Sequence, residues 1–450
     1  MTRIIPGVEI QVIKEIVPQQ LNPSGVVALI GTTEKGEALV PTPVSSYAEF
    51  ADKFGSSDSF TVTKEAKQAF QNGVFQVVVV PIAGQDGARA TLALKDRKGR
   101  DTVLLTAKSS GEEGNNISVK VEAPEGAETV TLSITDGTNI EIYDAVSMGP
   151  AGDNLVDAIN RKSRLVTAEE QRSSGKSGSN NPVAAEGTLS GGKTGVISKA
   201  DFEAALERLE AEPDVDMVAA CDVTDPEIHA LIDAHCLKMS MDAKNRIGLG
   251  SVGRNEPIAE IVKRTNVLAS DRFVIVAPYG ITGAVAGLIS RLNYYESPTF
   301  KAIAGVAKLE KKYTPSEEME MLKAGVMPLE AQKGRGIVVV KGISTSKEQI
   351  SVTRIADHAV RGVKSVSDLF IGTLNSPDGR SALKGKITEF LMRMESEGAL
   401  VPSVDGKEPA FLVDVYSSEL DFAQGIVRVN IAVRPVRAMD YIYATIKVEV

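Results

Sequence analysis

The chain has 450 residues, 43% of them hydrophobic, which is enough to build sizeable cores in about two to four domains. Lys and Arg number 50 against 59 Asp and Glu, and the net charge of -9 argues against a nucleic-acid coat and an anionic membrane surface as partners. Aromatics are 5% with no Trp, which disfavours base-stacking platforms, and two cysteines, Cys221 and Cys236, are too few for a disulfide framework and read as buried thiols of a reducing compartment.

Residues 1–20 lack the charged, apolar and small-residue segments of a signal peptide. Residues 1–22 read instead as an arm strand. Val8, Ile10, Val12 and Ile16 alternate with Glu9, Gln11 and Glu15, the period-two signature of a half-buried strand. Residues 23–85 then alternate strands (25–31 and 74–80) with helices (48–54 and 63–70). Residues 86–186 shift to short strands and turns, with strands at 90–94, 102–107, 117–122, 130–135 and 140–143. This reads as an inserted β-rich, sandwich-like module that lies outermost in an assembly. Its Ser173–Asn181 stretch reads as a surface loop that tolerates a tag.

The α/β pattern resumes over 187–297. Ser198 and Asp201 open a helix by a capping pattern, and strands at 215–221, 246–250 and 272–277 alternate with helices at 226–241 and 257–269. Phe273 to Ser290 is uncharged, but Pro278-Tyr279-Gly280 cuts it, so it reads as a buried strand and a small-residue helix pressed on a sheet rather than a membrane span. Residues 298–440 read as a C-terminal α+β region, with a strand at 336–342, a helix at 380–397 and strands at 411–416 and 426–433. Residues 441–450 close the chain as a second arm: Ile442, Ala444, Ile446, Val448 and Val450 point one way, and Tyr441, Tyr443, Thr445, Lys447 and Glu449 the other. The predicted fold class is α/β: a doubly wound, mostly parallel core with an inserted β-sandwich-like module and an α+β C-terminal domain carrying terminal strand arms. Strand-like ends need a sheet edge to pair with, and an edge on another copy means assembly by strand addition.

Several motifs promise chemistry. Gly187-Thr-Leu-Ser-Gly-Gly-Lys193-Thr194 matches the P-loop pattern, but no buried strand precedes it and no helix follows at once, so a Gly-rich linker is the better reading. Gly248-Leu-Gly-Ser-Val-Gly253 matches the dinucleotide fingerprint, with Asp271 on the wrong side of the next strand for a ribose contact, and reads as tight helix–strand packing. His229 and His235 do not share a helix face, so with His358 they read as solvated or capping residues rather than zinc ligands. No catalytic, cofactor-binding or metal residue is assigned, and no cofactor is expected. An enzyme of the P-loop or dinucleotide-binding type and a non-contractile shell or surface-layer subunit remain the alternatives.

The order of motifs resembles the sheath proteins of contractile phage tails and related contractile injection systems. Pro6-Gly-Val-Glu-Ile10 is similar to the family's opening arm. Gly25–Thr32 resembles its first core strand. Gly111-Glu-Glu-Gly-Asn-Asn-Ile-Ser-Val-Lys-Val121 is similar to its Gly-Asn turn and strand, with Ser110 where Pro is common. Leu189-Ser-Gly-Gly-Lys-Thr-Gly195 resembles its Gly-Gly turn, with Thr194 in place of Asp. The resemblance implies a structural subunit rather than an enzyme, polymerising as stacked hexameric rings around an inner tail tube and contracting to drive the tube through an envelope. It implies partners in its own copies, the tube protein, and baseplate and terminator proteins, without nucleic acid or membrane insertion, in a virion tail or phage-tail-like particle assembled in the host cytoplasm. The C-terminal region should face the tube. On helix 380–397, Leu383, Ile387, Phe390, Leu391 and Met394 should face the core, which leaves Lys384, Lys386, Glu389, Arg393 and Glu397 as the candidate tube contact.

Overall fold

The computed structural model describes residues 25–84, 87–108, 111–124, 128–137, 139–149, 154–171, 180–193 and 195–444. Among these the chain divides into two compact units, residues 25–350 with 440–444, and residues 351–439.

The larger unit begins with β1 (Val26–Gly31), β2 (Thr42–Val44), α1 (Tyr47–Phe54), α2 (Thr61–Gln71) and β3 (Gln76–Pro81). Every residue of β1 is buried, as is the Val77–Val80 run of β3. Strands covered on both faces read as continuous apolar runs, and these do. The Ser46 side chain accepts the Glu49 N–H and starts α1.

The module follows: β4 (Thr91–Lys95), β5 (Asp101–Ala107), a 3-10 turn at Glu112–Asn116, β6 (Ser118–Glu122), β7 (Val130–Thr135), β8 (Ile140–Val146), α3 (Leu155–Lys162), β9 (Val166–Glu170) and β10 (Ala185–Thr188). Two antiparallel sheets, ordered β10-β6-β7-β8 and β4-β5-β9, enclose one core that includes Leu105, Val119, Leu132, Ile134, Leu155 and Ile159. The sequence reading lacked α3, β9 and β10. α3 spans eight residues between turn-rich stretches, and rests on a capping box of Asn154 with Asp157 and one apolar pair, Leu155 and Ile159. β9 and β10 are short edge strands: β9 gives only Val166 and Ala168 to the core, and β10 gives no buried residue.

The chain then returns with α4 (Lys199–Leu209), β11 (Val215–Ala220), α5 (Pro226–Met241), β12 (Ile247–Ser251), α6 (Ile258–Val267), β13 (Phe273–Ala277), α7 (Thr282–Arg291), β14 (Ala302–Ile303), α8 (Pro315–Ala324), β15 (Val326–Gln332) and β16 (Gly336–Val339). The main sheet has nine strands, ordered β14-β16-β15-β13-β12-β11-β1-β3-β2. Pairing is parallel from β15 through β3 and antiparallel at both edges. A separate core covers each face, so the sheet is doubly wound.

One reading needs correction. The strands of residues 302–339 join this sheet, although the sequence reading places residues 298–440 in a C-terminal region. The buried run Val326–Leu329 pairs beside β13, with Ile275 opposite Val326, and that apolar run needs the cover the sheet gives it. The small-residue helix α7 presses on helix α2 as well as on the sheet. A Cβ on Gly283 would collide with the Glu65 carbonyl oxygen, and one on Gly287 with that of Ala69. Among the described residues no helix is long and apolar enough to cross a membrane.

The smaller unit contains most of α9 (Ile350–Asp368), then α10 (Pro377–Ser396), β17 (Phe411–Tyr416), α11 (Glu419–Ala423) and β18 (Arg428–Val433). The sequence reading missed α9, whose Val352, Thr353, Ile355 and Gly362 lower local helix propensity. Gly362 has a packing reason: a Cβ there would overlap the ring of Phe390, so α10 seats that ring in a notch of α9.

Candidate assembly surface

The smaller unit carries a sheet of only two strands. β17 and β18 pair antiparallel from Phe411 opposite Val433 to Tyr416 opposite Arg428. Phe411, Val413, Val415, Val429, Ile431 and Val433 form one face, packed toward α10, yet all six are only half-buried. The opposite face is exposed, with Leu412 61% and Tyr416 40% accessible. Among the described residues no third strand pairs with either edge. An isolated two-stranded sheet is marginal in water, and an unpaired edge is a template for another strand.

The sheet nonetheless has a firm base. Leu383, Ile387, Leu391 and Met394 of α10 are buried beneath it. α11 joins the two strands, and Arg428 donates to both carboxylate oxygens of Asp421 at 2.8–3.1 Å. The bonds from Arg428, then Ser418, hold the Asp421 carboxyl down to about 2.

The residues expected to make contacts fall as follows. Lys384, Glu389, Arg393 and Glu397 of the α10 region are exposed, and Lys386 is half-buried with its ammonium 3.0 Å from Glu389. Met392 is exposed among them. Phe390 departs from the expected core row and lies half-buried against Gly362, with its ring centroid 5.8 Å from that of His358. Val8, Ile10, Val12, Ile16, Ile446, Val448 and Val450 lie outside the described residues, as does most of Ser173–Asn181. Ile442 and Ala444 are exposed and belong to no sheet among the described residues. Sequence reasoning missed one feature here. Asp440 and Tyr441 are held by Lys341 and Gln349, and nothing in the spacing of a distant lysine and glutamine signals that contact.

The motifs that promise chemistry are used for packing. Gly187 lies in β10 opposite Val119 of β6. Gly192 donates its N–H to Asn115 Oδ1 at 2.8 Å, and Asn115 Nδ2 donates back to the Gly192 carbonyl at 2.9 Å. A Cβ on Gly192 would collide with the Gly111 carbonyl oxygen. The Gly111–Asn116 turn and the Gly-Gly turn are therefore one interlock, and α4 begins only at Lys199. Gly248 and Gly250 lie within β12, where a Cβ on Gly250 would meet His229 at 2.7 Å and Phe273 at 2.8 Å.

A doubly wound sheet seats ligands at the carboxyl ends of its strands where the order reverses, here between β1 and β11. There the chain's own groups bond to one another. Thr32 N–H donates to Thr61 Oγ1 at 2.9 Å and Thr61 N–H to Thr32 Oγ1 at 3.0 Å, while the Tyr279 hydroxyl donates to Asp222. Beside them the buried Glu65 accepts the Gly283 N–H at the start of α7, and burial pushes its carboxyl up to about 7.

His229 and His235 are buried, against the expectation of solvated or capping roles. α5 packs on α4 as well as on β11 and β12, so its covered arc is wider than one apolar row. Burial pushes both imidazoles down to about 4, so they are neutral near pH 7; for His235 the Arg246 guanidinium, 2.8 Å from Nε2, adds to the effect. Cys221 and Cys236 are buried and form no disulfide, and burial raises the Cys221 thiol well above its usual range. Among the described residues no group of His, Cys, Asp and Glu is arranged to hold a metal.

A mixed α/β protein with its glycine motifs spent on packing and an unfinished sheet in its second unit is the class that these features define. Residues 195–345 match the phage tail sheath protein central domain, and residues 344–449 the phage tail sheath C-terminal domain. The two matches together span more than half of the chain, which belongs to the phage tail sheath protein family. No curated protein matches it by sequence. Solved structures with a similar fold include the sheath tail protein of Listeria innocua (TM-score 0.68, 16% identity, 93% of each chain covered). The sheath tail protein of Desulfitobacterium hafniense is comparable (TM-score 0.65, 17% identity, 91% of this chain and 93% of that one). The contracted helical sheath of the anti-feeding prophage is similar along 99% of both chains (TM-score 0.59, 14% identity).

Proposed function

We propose that this protein is the structural subunit of a contractile tail sheath, polymerising as stacked hexameric rings around an inner tube and contracting to drive it through a target envelope. The observation that carries this reading is the β17–β18 sheet, which among the described residues has no partner strand at either edge and is only half-covered on its apolar face. Arms from neighbouring subunits complete it: residues 1–22, through Val8, Ile10, Val12 and Ile16, and residues 441–450, through Ile442, Ala444, Ile446, Val448 and Val450. A six-residue strand adds about five backbone hydrogen bonds at roughly 0.5–1.5 kcal/mol each, before the cost of ordering an arm. Such a bond is strong when repeated around a ring, and it ties neighbours together while leaving their bodies free to move. The charged face of α10, with Lys384, Lys386, Glu389, Arg393 and Glu397, meets the tube. The reading assigns the subunit a structural role and no catalysis, and the use of the glycine motifs for packing supports it.

Deleting residues 442–450 tests the proposal. The truncated subunit stays folded and soluble, and electron microscopy shows no tubes where the full chain forms them. Normal tubes from the truncated subunit refute strand exchange by this arm. Flat sheets or closed shells from the full chain point to a shell subunit instead, and a melting shift with ATP–Mg²⁺ or NAD restores the enzyme reading.

A further inference from the structure

We propose that Lys341 and Gln349 form a socket that fixes where the C-terminal arm leaves the subunit, and so positions it for a second copy of this chain; this rests on the strand-exchange reading above. Four contacts converge on two consecutive residues. Lys341 Nζ lies 3.2 Å from Asp440 Oδ2, donates to Tyr441 Oη at 3.3 Å, and stands 5.0 Å from the Tyr441 ring centroid. Gln349 Nε2 donates to the same Asp440 oxygen at 2.7 Å. The flanking residues are not gripped in this way: Met439 is 87% exposed, Ile442 82% and Tyr443 94%.

The socket stands on rigid ground. Lys341 follows β16 almost directly. Ile343 pairs with Gln349 across a short turn, and the Ile350 N–H donates to the Gly342 carbonyl at 3.1 Å. Within that turn Thr345 donates through its N–H to the Phe273 carbonyl at 2.8 Å and through its hydroxyl to the Ser270 carbonyl at 3.0 Å. The turn is thus stitched to the start of β13. One ammonium serves a carboxylate, a phenol and a ring face at once, so the grip is directional. An apolar contact of similar size would let the segment slide.

On the strand-exchange reading, fixing residues 440–441 shortens the tether and aims the arm that begins at Ile442. The effective concentration of a tethered strand at its target depends on tether length and direction, and a pre-aimed segment loses less freedom on binding. Lys341→Ala therefore raises the subunit concentration at half-assembly by about tenfold, while the monomer melts as wild type. Amide exchange at residues 440–442 of the monomer rises in parallel. Lys341→Arg keeps the charge and the ring contact and assembles within about twofold of wild type. Tyr441→Ala, at a largely exposed residue, gives the same assembly defect without a folding risk. Wild-type assembly by Lys341→Ala and Tyr441→Ala, with the 442–450 deletion still unable to assemble, overturns the socket alone. Wild-type assembly by all three overturns the strand-exchange reading itself.

Discussion

Replacing Glu65 by glutamine isolates a pH dependence set by burial. Glu65 lies on α2 under α7, and its carboxyl titrates at about 7 against an ordinary value of 4.5. Burial is the main cause, and the nearby Asp222 adds to it; the Gly283 N–H and Lys64 pull the other way and are weaker. The folded state therefore binds this proton more tightly than the unfolded chain does. Stability is fullest below pH 4.5, falls as the pH rises to about 7, and levels off above that. A shift of about 2.5 units at about 1.4 kcal/mol per unit makes the full loss roughly 3 kcal/mol. The side chain of the Glu65→Gln variant cannot ionise, and its amide oxygen still accepts the Gly283 N–H. Thermal unfolding followed from about pH 4.5 to about pH 8 should show the two proteins nearly equal at the acid end and the variant ahead by several degrees at the alkaline end. Asp96 and Asp421 are held down to about 2, mainly by bonds from Arg100 and Arg428, so they lose their contribution only at lower pH, outside this window. Parallel pH slopes for the two proteins would refute the argument.

Asn115→Ala removes both bonds to Gly192 and leaves an N–H and a carbonyl without their partner, a loss of about 1–3 kcal/mol. Hydrogen exchange should show protection falling around residues 111–117 and 189–193 with the nine-stranded sheet unaffected; an unchanged profile means that the interlock contributes nothing. Reversing Lys384, Lys386 and Arg393 to Glu keeps the buried row of α10, so the subunit should melt normally. Its co-sedimentation with preformed inner tubes should nonetheless fall several-fold, because each exposed pair is worth only about 0–1 kcal/mol and three are inverted together. Normal co-sedimentation assigns the tube contact to another surface.

Legibility in the sequence followed how locally each feature is determined. β1, β3, β13 and α5 were readable because burial on both faces, or Pro226 behind the Asp225 cap, leaves a signature within a few residues. The role of β14–β16 was not, because membership of a sheet is decided by neighbours far away in sequence, such as β13. The histidines of α5 illustrate the same limit. Nothing local distinguishes a buried imidazole from a capping one when the cover comes from α4 and from Arg246. The terminal alternation and the apolar row of α10 are plain in the sequence, whereas a sheet of only two strands among the described residues of the smaller unit is set by pairing that no local pattern shows. The socket at Lys341 was invisible, since it joins residues 99 and 100 positions apart by single side chains.

The open sheet also constrains how an arm can dock. Its α10 side carries Phe411, Val413, Val415, Val429, Ile431 and Val433, and its outer side carries Leu412, Asp414, Tyr416, Arg428 and Asn430. The closing segment of the chain has the same two-sided character, with Ile442, Ala444, Ile446, Val448 and Val450 in one row and Tyr441, Tyr443, Thr445, Lys447 and Glu449 in the other. On the strand-exchange reading, only one orientation of faces extends both rows of the sheet. A slip by one residue would turn Lys447 and Glu449 toward α10 and leave five apolar side chains in water. Each misplaced charge then lacks a buried partner, which is far more costly than a lost contact. Pairing by the backbone supplies the affinity without regard to sequence, and this alternation supplies the register. The charged and polar groups on the outer side, Asp414, Arg428 and Asn430, also oppose indiscriminate stacking of one open sheet on another. On that reading, edges that have no partner strand among the described residues accept only a strand with the right pattern.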